Sequence, residues 1–217
     1  MAQILIFGAS IAWGAWDTQG GWAQRLKQYV DENNIKHLGS FDFNWTYPLG
    51  IPGDSSTTLL ERVEQEMDAR CDEGVETVVL FEVGTNDSLM SLKDGTNATP
   101  LNVFKKNLEE LILAARKYQA RIVFVGLPPV DEDKMNPTPH MQGFAYTNES
   151  LKEYNNSIKQ LCDEQNLNFV EVYEAFLKAN FKNLLADGLH PNSRGHQKIF
   201  ELAKSCLLEN KLINSKE

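Results

Sequence analysis

Thr77-Val78-Val79-Leu80-Phe81-Glu82-Val83-Gly84-Thr85-Asn86-Asp87 is a short, β-branched and aromatic run that stops at a glycine and is followed by an amide and a carboxylate. The apolar residues do not alternate strictly with polar ones. That is the pattern of a strand covered on both faces, as in a parallel sheet. Residues 4–8, 121–126 and 168–172 read the same way, and a weaker strand falls within residues 35–45. Helical stripes lie between these runs. One covers residues 21–30, a second is marked by Leu59, Leu60, Val63 and Met67, and a third by Phe104, Leu108, Leu111, Ile112 and Ala115. Leu151, Tyr154, Ile158, Leu161 and Cys162 mark a fourth, and Ile199, Leu202, Ala203 and Cys206 a last. Their spacing places each set on one helix face, read as core. Strand alternating with helix predicts an α/β fold, a three-layer α/β/α sandwich around a parallel sheet with right-handed crossovers.

The 217 residues fit one domain, 1–217, large enough to bury a core without staples. A net charge of -9 argues against nucleic acid and anionic membrane surfaces as partners. Cys71, Cys162 and Cys206 are odd in number and far apart, which reads as free thiols in a reducing compartment. The chain opens on Met1-Ala2-Gln3 and a short apolar run with no signal-peptide pattern, and no apolar stretch reaches membrane length. A cytoplasmic protein is therefore expected, with Asn97-Ala98-Thr99 a chance sequon. Residues 127–147, with Pro128, Pro129, Pro137 and Pro139, form a long irregular stretch of the kind that is functional or disordered.

In a parallel sheet, ligands bind beyond the carboxyl ends of the strands. Four segments fall there: Phe7-Gly8-Ala9-Ser10, Gly50-Ile51-Pro52-Gly53-Asp54-Ser55, Gly84-Thr85-Asn86-Asp87 and Ala186-Asp187-Gly188-Leu189-His190-Pro191-Asn192. A serine hydroxyl becomes a useful nucleophile only when a base takes its proton, a carboxylate orients the base, and fixed donors hold the oxyanion. Ser10, His190 and Asp187 supply the first three parts. Asp187 and His190 are three residues apart, so one tight turn brings the carboxylate to the far imidazole nitrogen. The Ser10 and Gly53 N–H groups and the Asn86 amide are candidate oxyanion donors.

These four blocks, in this order, resemble the GDSL-like (SGNH) serine esterase/lipase family across residues 7–190. The resemblance implies a flavodoxin-like sandwich with five central parallel strands. It implies Ser10 as nucleophile, His190 as base, Asp187 as its partner, and Ser10, Gly53 and Asn86 as the oxyanion hole. The activity it implies is hydrolysis of carboxylic esters through an acyl-serine intermediate, with no cofactor. The stretch 126–131 followed by Tyr154-Asn155 resembles members acting on small acetyl esters, so a small acyl or acetyl ester is the expected partner. Acetylated sugars, thioesters and lysophospholipids also fall within the family. The chain departs from the family at Ala9, where an acidic residue usually precedes the serine; this concerns the hydrogen bonding of the nucleophile loop, not the triad.

Two other classes compete. One is a flavodoxin-like binding module with the 8–10 loop around a phosphate or flavin, for which the glycines are too sparse. The other is an inactive relative used for interaction. The Gly-x-Ser-x-Gly elbow of α/β-hydrolases is absent, since residues 8–12 read Gly-Ala-Ser-Ile-Ala. His37, His140 and His196 have no partners at metal-ligand spacing, so no metal is expected; His140, in the long loop, reads either as a loop residue or as a substrate contact. Asp87 reads as a tie for the Asn86 loop, Asp17 and Asp54 as caps, and Trp22 as packing. Trp13 and Trp16 either join the core or line an apolar or sugar-stacking pocket, with Trp13 the candidate substrate contact.

Overall fold

The computed structural model describes residues 1–39 and 43–213. In chain order these form β1 (Ala2–Gly8), α1 (Ser10–Trp13), α2 (Gly21–Lys36), β2 (Trp45–Gly50), α3 (Ser56–Asp68), β3 (Glu76–Glu82), β4 (Met90–Ser91) and α4 (Leu101–Arg116). There follow β5 (Arg121–Val125), α5 (Glu132–Met135), β6 (Phe144–Ala145), α6 (Asn148–Gln165), β7 (Asn168–Val170), α7 (Tyr173–Leu177), a 3-10 turn Phe181–Leu184 and α8 (Ser193–Glu209). The main sheet has the order β2-β1-β3-β5-β7, every neighbour parallel. This is the five-stranded parallel sandwich the sequence implies.

Strand alternation divides the core in two. Leu5, Phe7, Val79, Phe81 and Phe124 face α3, α4 and α6, while Ile4, Ile6, Val78, Leu80 and Val123 face α2 and α8. Phe7, Phe81 and Phe124 are directly paired in register across three strands. Their rings lie 5.6 and 5.4 Å apart. Each is fully buried, and burial of such a ring contributes roughly 1.5–3 kcal/mol.

Two sequence expectations need correction. The weaker strand is not within residues 35–45: α2 continues to Lys36, and the strand is Trp45–Gly50. Pro48 disguised it, because proline lacks the N–H that an inner strand must donate. β2 is an edge strand, where one unpaired side is open to solvent and the proline is tolerated. Residues 40–42, within the expected segment, lie outside the described residues. The long stretch 127–147 is also less irregular than expected: it contains α5, and β6 pairs antiparallel with β4.

The sheet reverses its winding at β1 and β3, with β2 on one side and β5 and β7 on the other. The loops after β1 and β3 therefore diverge and leave a crevice at the carboxyl edge. Gly8 closes the floor of that crevice. A Cβ there would meet the Glu82 carbonyl at 2.5 Å and the Ala12 Cβ at 2.7 Å, so only glycine lets α1 turn back directly over β3.

Candidate active site

Ser10 is the first residue of α1, two residues past the end of β1. Asp187 and His190 come from the loop before α8, whose N-cap Asn192 accepts from the Arg194 and Gly195 N–H groups and fixes where the helix starts. The two loops meet across the sheet edge. His190 Nε2 is 3.0 Å from Ser10 Oγ, and His190 Nδ1 is 2.7 Å from Asp187 Oδ2. With its proton on Nδ1, donated to the carboxylate, the ring has a free lone pair at Nε2 for the serine proton.

Asp187 is held from two sides. Its Oδ1 accepts from the backbone N–H groups of Leu189 (2.9 Å) and His190 (2.8 Å). Its Oδ2 accepts from His190 Nδ1 and from the indole N–H of Trp16 at 2.7 Å. Burial raises the carboxyl pKa, but the hydrogen bonds from the His190 ring and from the two backbone N–H groups outweigh it and hold the acid well below its usual range. It is a carboxylate throughout the neutral range.

Gly53 follows β2 and takes φ +91°, a backbone that favours glycine, with open space where a Cβ would stand. Among the described residues, neither the Gly53 N–H nor the Ser10 N–H has an internal acceptor. Asn86, at the end of the β3 loop, donates from Nδ2 to the Asp54 carbonyl at 2.8 Å and accepts at Oδ1 from the Tyr146 hydroxyl at 3.2 Å. These two bonds fix which way the amide points, and among the described residues its second N–H has no acceptor. Burial pushes the Tyr146 phenol up to about 12, so it stays a neutral donor. Asp87, next to Asn86, is fully buried and accepts from the backbone N–H of Ser56 at 3.0 Å and from its hydroxyl at 2.5 Å, which ties the loop to α3.

A cavity of about 390 Å³ opens above Ser10 and His190. Gly53, Asn86 and Trp13 border it, as do Trp16, Pro52, Tyr146, Leu189 and His140. No lysine, arginine, aspartate or glutamate is among its lining residues. Trp13 and Trp16 are exposed at its rim, 56% and 62%, and not in the core. A hollow of about 470 Å³ near Cys71 and Tyr118 is larger, but it has no nucleophile–base pair and burial pushes its Cys71 thiol up.

Sequence spacing gave His140 no partner, yet the fold brings it beside Asp187 and His190. Its Nε2 is 3.6 Å from Asp187 Oδ2 and its ring centroid 5.8 Å from that of His190. Among the described residues, His140, Asp187 and His190 are the one group whose ligand atoms all lie within 4.8 Å of one another. The Trp16 N–H, 2.7 Å from Asp187 Oδ2 and 3.1 Å from His190 Nδ1, fills the side on which a cation shared by those two atoms would sit. His196 instead is structural: it accepts from the Trp22 N–H at Nδ1 and donates from Nε2 to the Ala15 carbonyl, linking α8 to the nucleophile loop. Asp17 pairs with Arg25, and Asp54 with Arg62.

Tyr146, Pro52 and Leu189 also line the cavity; Pro52 and Leu189 lie within the quoted blocks but were not singled out, and Tyr146 lies outside them. Tyr146 stands at the end of the proline-rich stretch, whose length was the available signal.

A model of the GDSL-like lipase/acylhydrolase family matches residues 6–198. A GDSL esterase/lipase of Arabidopsis thaliana, CPRD49, is 29% identical over 202 residues, covering 89% of this chain and 73% of that protein. The isoamyl acetate-hydrolyzing esterase of Saccharomyces cerevisiae is 28% identical over 124 residues, 54% of this chain and half (50%) of that protein. Among solved structures, the lipase/acylhydrolase from Enterococcus faecalis superposes with a TM-score of 0.75 at 21% identity, covering 100% of both chains. The acetyl xylan esterase AlAXEase gives 0.69 at 20% identity over 95% of this chain and 100% of that one. No helix among the described residues is long and apolar enough to cross a membrane.

Proposed function

The chain belongs to the GDSL-like lipase/acylhydrolase family, and on that premise we propose that it hydrolyses small, neutral carboxylic esters by a Ser10-His190-Asp187 mechanism. The observation that carries the reading is the 3.0 Å contact from Ser10 Oγ to His190 Nε2, backed by the 2.7 Å contact to Asp187, beneath an apolar cavity. His190 Nε2 takes the Ser10 proton as Oγ forms a bond to the ester carbonyl carbon. The Ser10 and Gly53 N–H groups and the second N–H of Asn86 receive the oxyanion. His190 then gives its proton to the alcohol oxygen as the ester C–O bond breaks and the alcohol leaves. Water, deprotonated by His190, attacks the acyl carbon, and Ser10 departs with the proton returned. Asp187 keeps the Nδ1 proton in place and stabilises the imidazolium formed twice per cycle.

A cavity of about 390 Å³ lies near the lower end of the roughly 300–1,000 Å³ of small-molecule sites, which suits a short acyl group and a compact alcohol. Its lining has no cation to pair with a phosphate, so a neutral alcohol is favoured over coenzyme-A thioesters or lysophospholipids. The yeast relative's printed substrate, isoamyl acetate, has this chemistry. The unpaired Cys71, Cys162 and Cys206 favour a reducing, cytoplasmic setting. The test is hydrolysis of p-nitrophenyl acetate through octanoate by the wild type, Ser10→Ala and His190→Ala, with fluorophosphonate labelling of Ser10. Turnover highest on the short esters and absent from both variants is expected. No turnover above the variants and no labelling would refute the reading.

A further inference from the structure

Trp16 combines three features that packing alone does not account for. It is 62% exposed, yet its side chain is pinned. Its φ is +64°, the left-handed region that bulky side chains rarely adopt, and it stands two residues after Gly14, where the chain leaves α1. Its indole N–H lies 2.7 Å from Asp187 Oδ2 and 3.1 Å from His190 Nδ1, with the two rings edge to face at 5.7 Å. Because His190 Nδ1 carries a proton for Asp187, it is no acceptor, and the indole N–H has one target, Oδ2. That oxygen is the one Asp187 oxygen held by side chains alone, since backbone N–H groups hold Oδ1. His140, 3.6 Å away, and water are the competitors for it.

We infer that Trp16 is a positioning residue that acts through Asp187: its indole N–H fixes Oδ2 against the His190 Nδ1 proton, and its ring screens that hydrogen bond from water. The left-handed backbone at Trp16 brings its indole to this carboxylate. The catalytic consequence rests on the esterase reading above; the geometric one does not.

Trp16→Phe keeps an aromatic ring and removes the N–H. Two readouts are taken, turnover of p-nitrophenyl acetate and the far-downfield proton resonance of the His190 Nδ1–H bond. The expected result is kcat lowered about tenfold, the size of one hydrogen bond to a charged group, with KM within about twofold, and a resonance broadened by exchange with water. A raised KM with kcat and resonance unchanged would make Trp16 a substrate contact and overturn the inference, as would no change at all. Circular dichroism checks that the variant is folded. If the wild type turns over no faster than Ser10→Ala, the esterase reading fails, and the resonance alone decides the role of Trp16.

Discussion

Ser10 Oγ and His190 Nε2 stand 3.0 Å apart although 180 positions separate them in the chain. The end of β1 and the turn before α8 place them there, and in the proposed mechanism neither side chain does chemistry without the other. Ser10→Ala and His190→Ala should each lower kcat by about 10⁴-fold or more, and the double variant should be scarcely worse than either. Steady-state kinetics on p-nitrophenyl acetate tests this. Additive losses would mean that the two residues do not act as a unit.

Asn86 is aimed by two neighbours, the Asp54 carbonyl and the Tyr146 hydroxyl. Removing an oxyanion donor costs about 10²–10³ in kcat, and that is the expectation for Asn86→Ala. Tyr146→Phe leaves the amide in place but free to flip, so a loss of about threefold to tenfold is expected, the share of one hydrogen bond. Burst kinetics reads acylation and deacylation separately, and both should slow, because each passes through a tetrahedral oxyanion. A Tyr146→Phe variant altered only in KM would assign the hydroxyl to substrate binding.

The sheet, and the sequence segments that meet at its edge, were legible for the same reason. Buried parallel strands have runs such as 77–83 that are apolar on both faces, and the chemistry must follow their ends. β2 was misplaced because Pro48 breaks the strand pattern, and only the edge position, a property of the whole sheet, permits it. Trp16 was legible as a core-or-pocket residue, but its contact with Asp187 was not, and neither were Tyr146 or the approach of His140 to Asp187. Their roles come from positive φ, a two-stranded pairing of β4 with β6, and a loop crossing, none of which has a periodicity. Asp187 was legible, but its grip by the Trp16 indole depends on a turn that no motif encodes.

Glu82 ends β3 beneath the nucleophile loop and is 2% exposed. Burial pushes its carboxyl up to about 8, opposed by the Ala12 N–H, and among the described residues its Oε2 has no hydrogen-bond partner. The native state therefore holds the proton that the unfolded chain releases near pH 4.5. Stability from this group is complete below that value and is lost as pH rises toward 8, at up to about 1.4 kcal/mol per pH unit. Glu82→Gln removes the proton to be lost. Its Tm should match the wild type near pH 4 and exceed it at pH 8, read by thermal melts across that range. Parallel pH curves for the two proteins would show that Glu82 does not titrate in this window.

Asp87 presents the same physics one loop away, with a partner that can be removed. Burial pushes its carboxyl up, while the Ser56 hydroxyl and N–H pull the other way by donating to the charged form. Asn107 Nδ2 in turn donates to Ser56 Oγ at 2.9 Å, so the hydroxyl is the centre of a buried chain from α4 to the Asn86 loop. Ser56→Ala deletes that centre and should cost about 1.5–3 kcal/mol, the range for a hydrogen bond to a charged group. The cost should grow with pH. Loss of a donor to the carboxylate raises the folded-state pKa of Asp87 further, so the variant gives up stability over a range in which the wild type still keeps its charge. Denaturant midpoints at pH 5 and pH 8 measure the difference. Because Asp87 adjoins Asn86, kcat should also fall, by less than in Asn86→Ala, and a cost independent of pH would mean that the Ser56 hydroxyl serves packing and not the charge of Asp87.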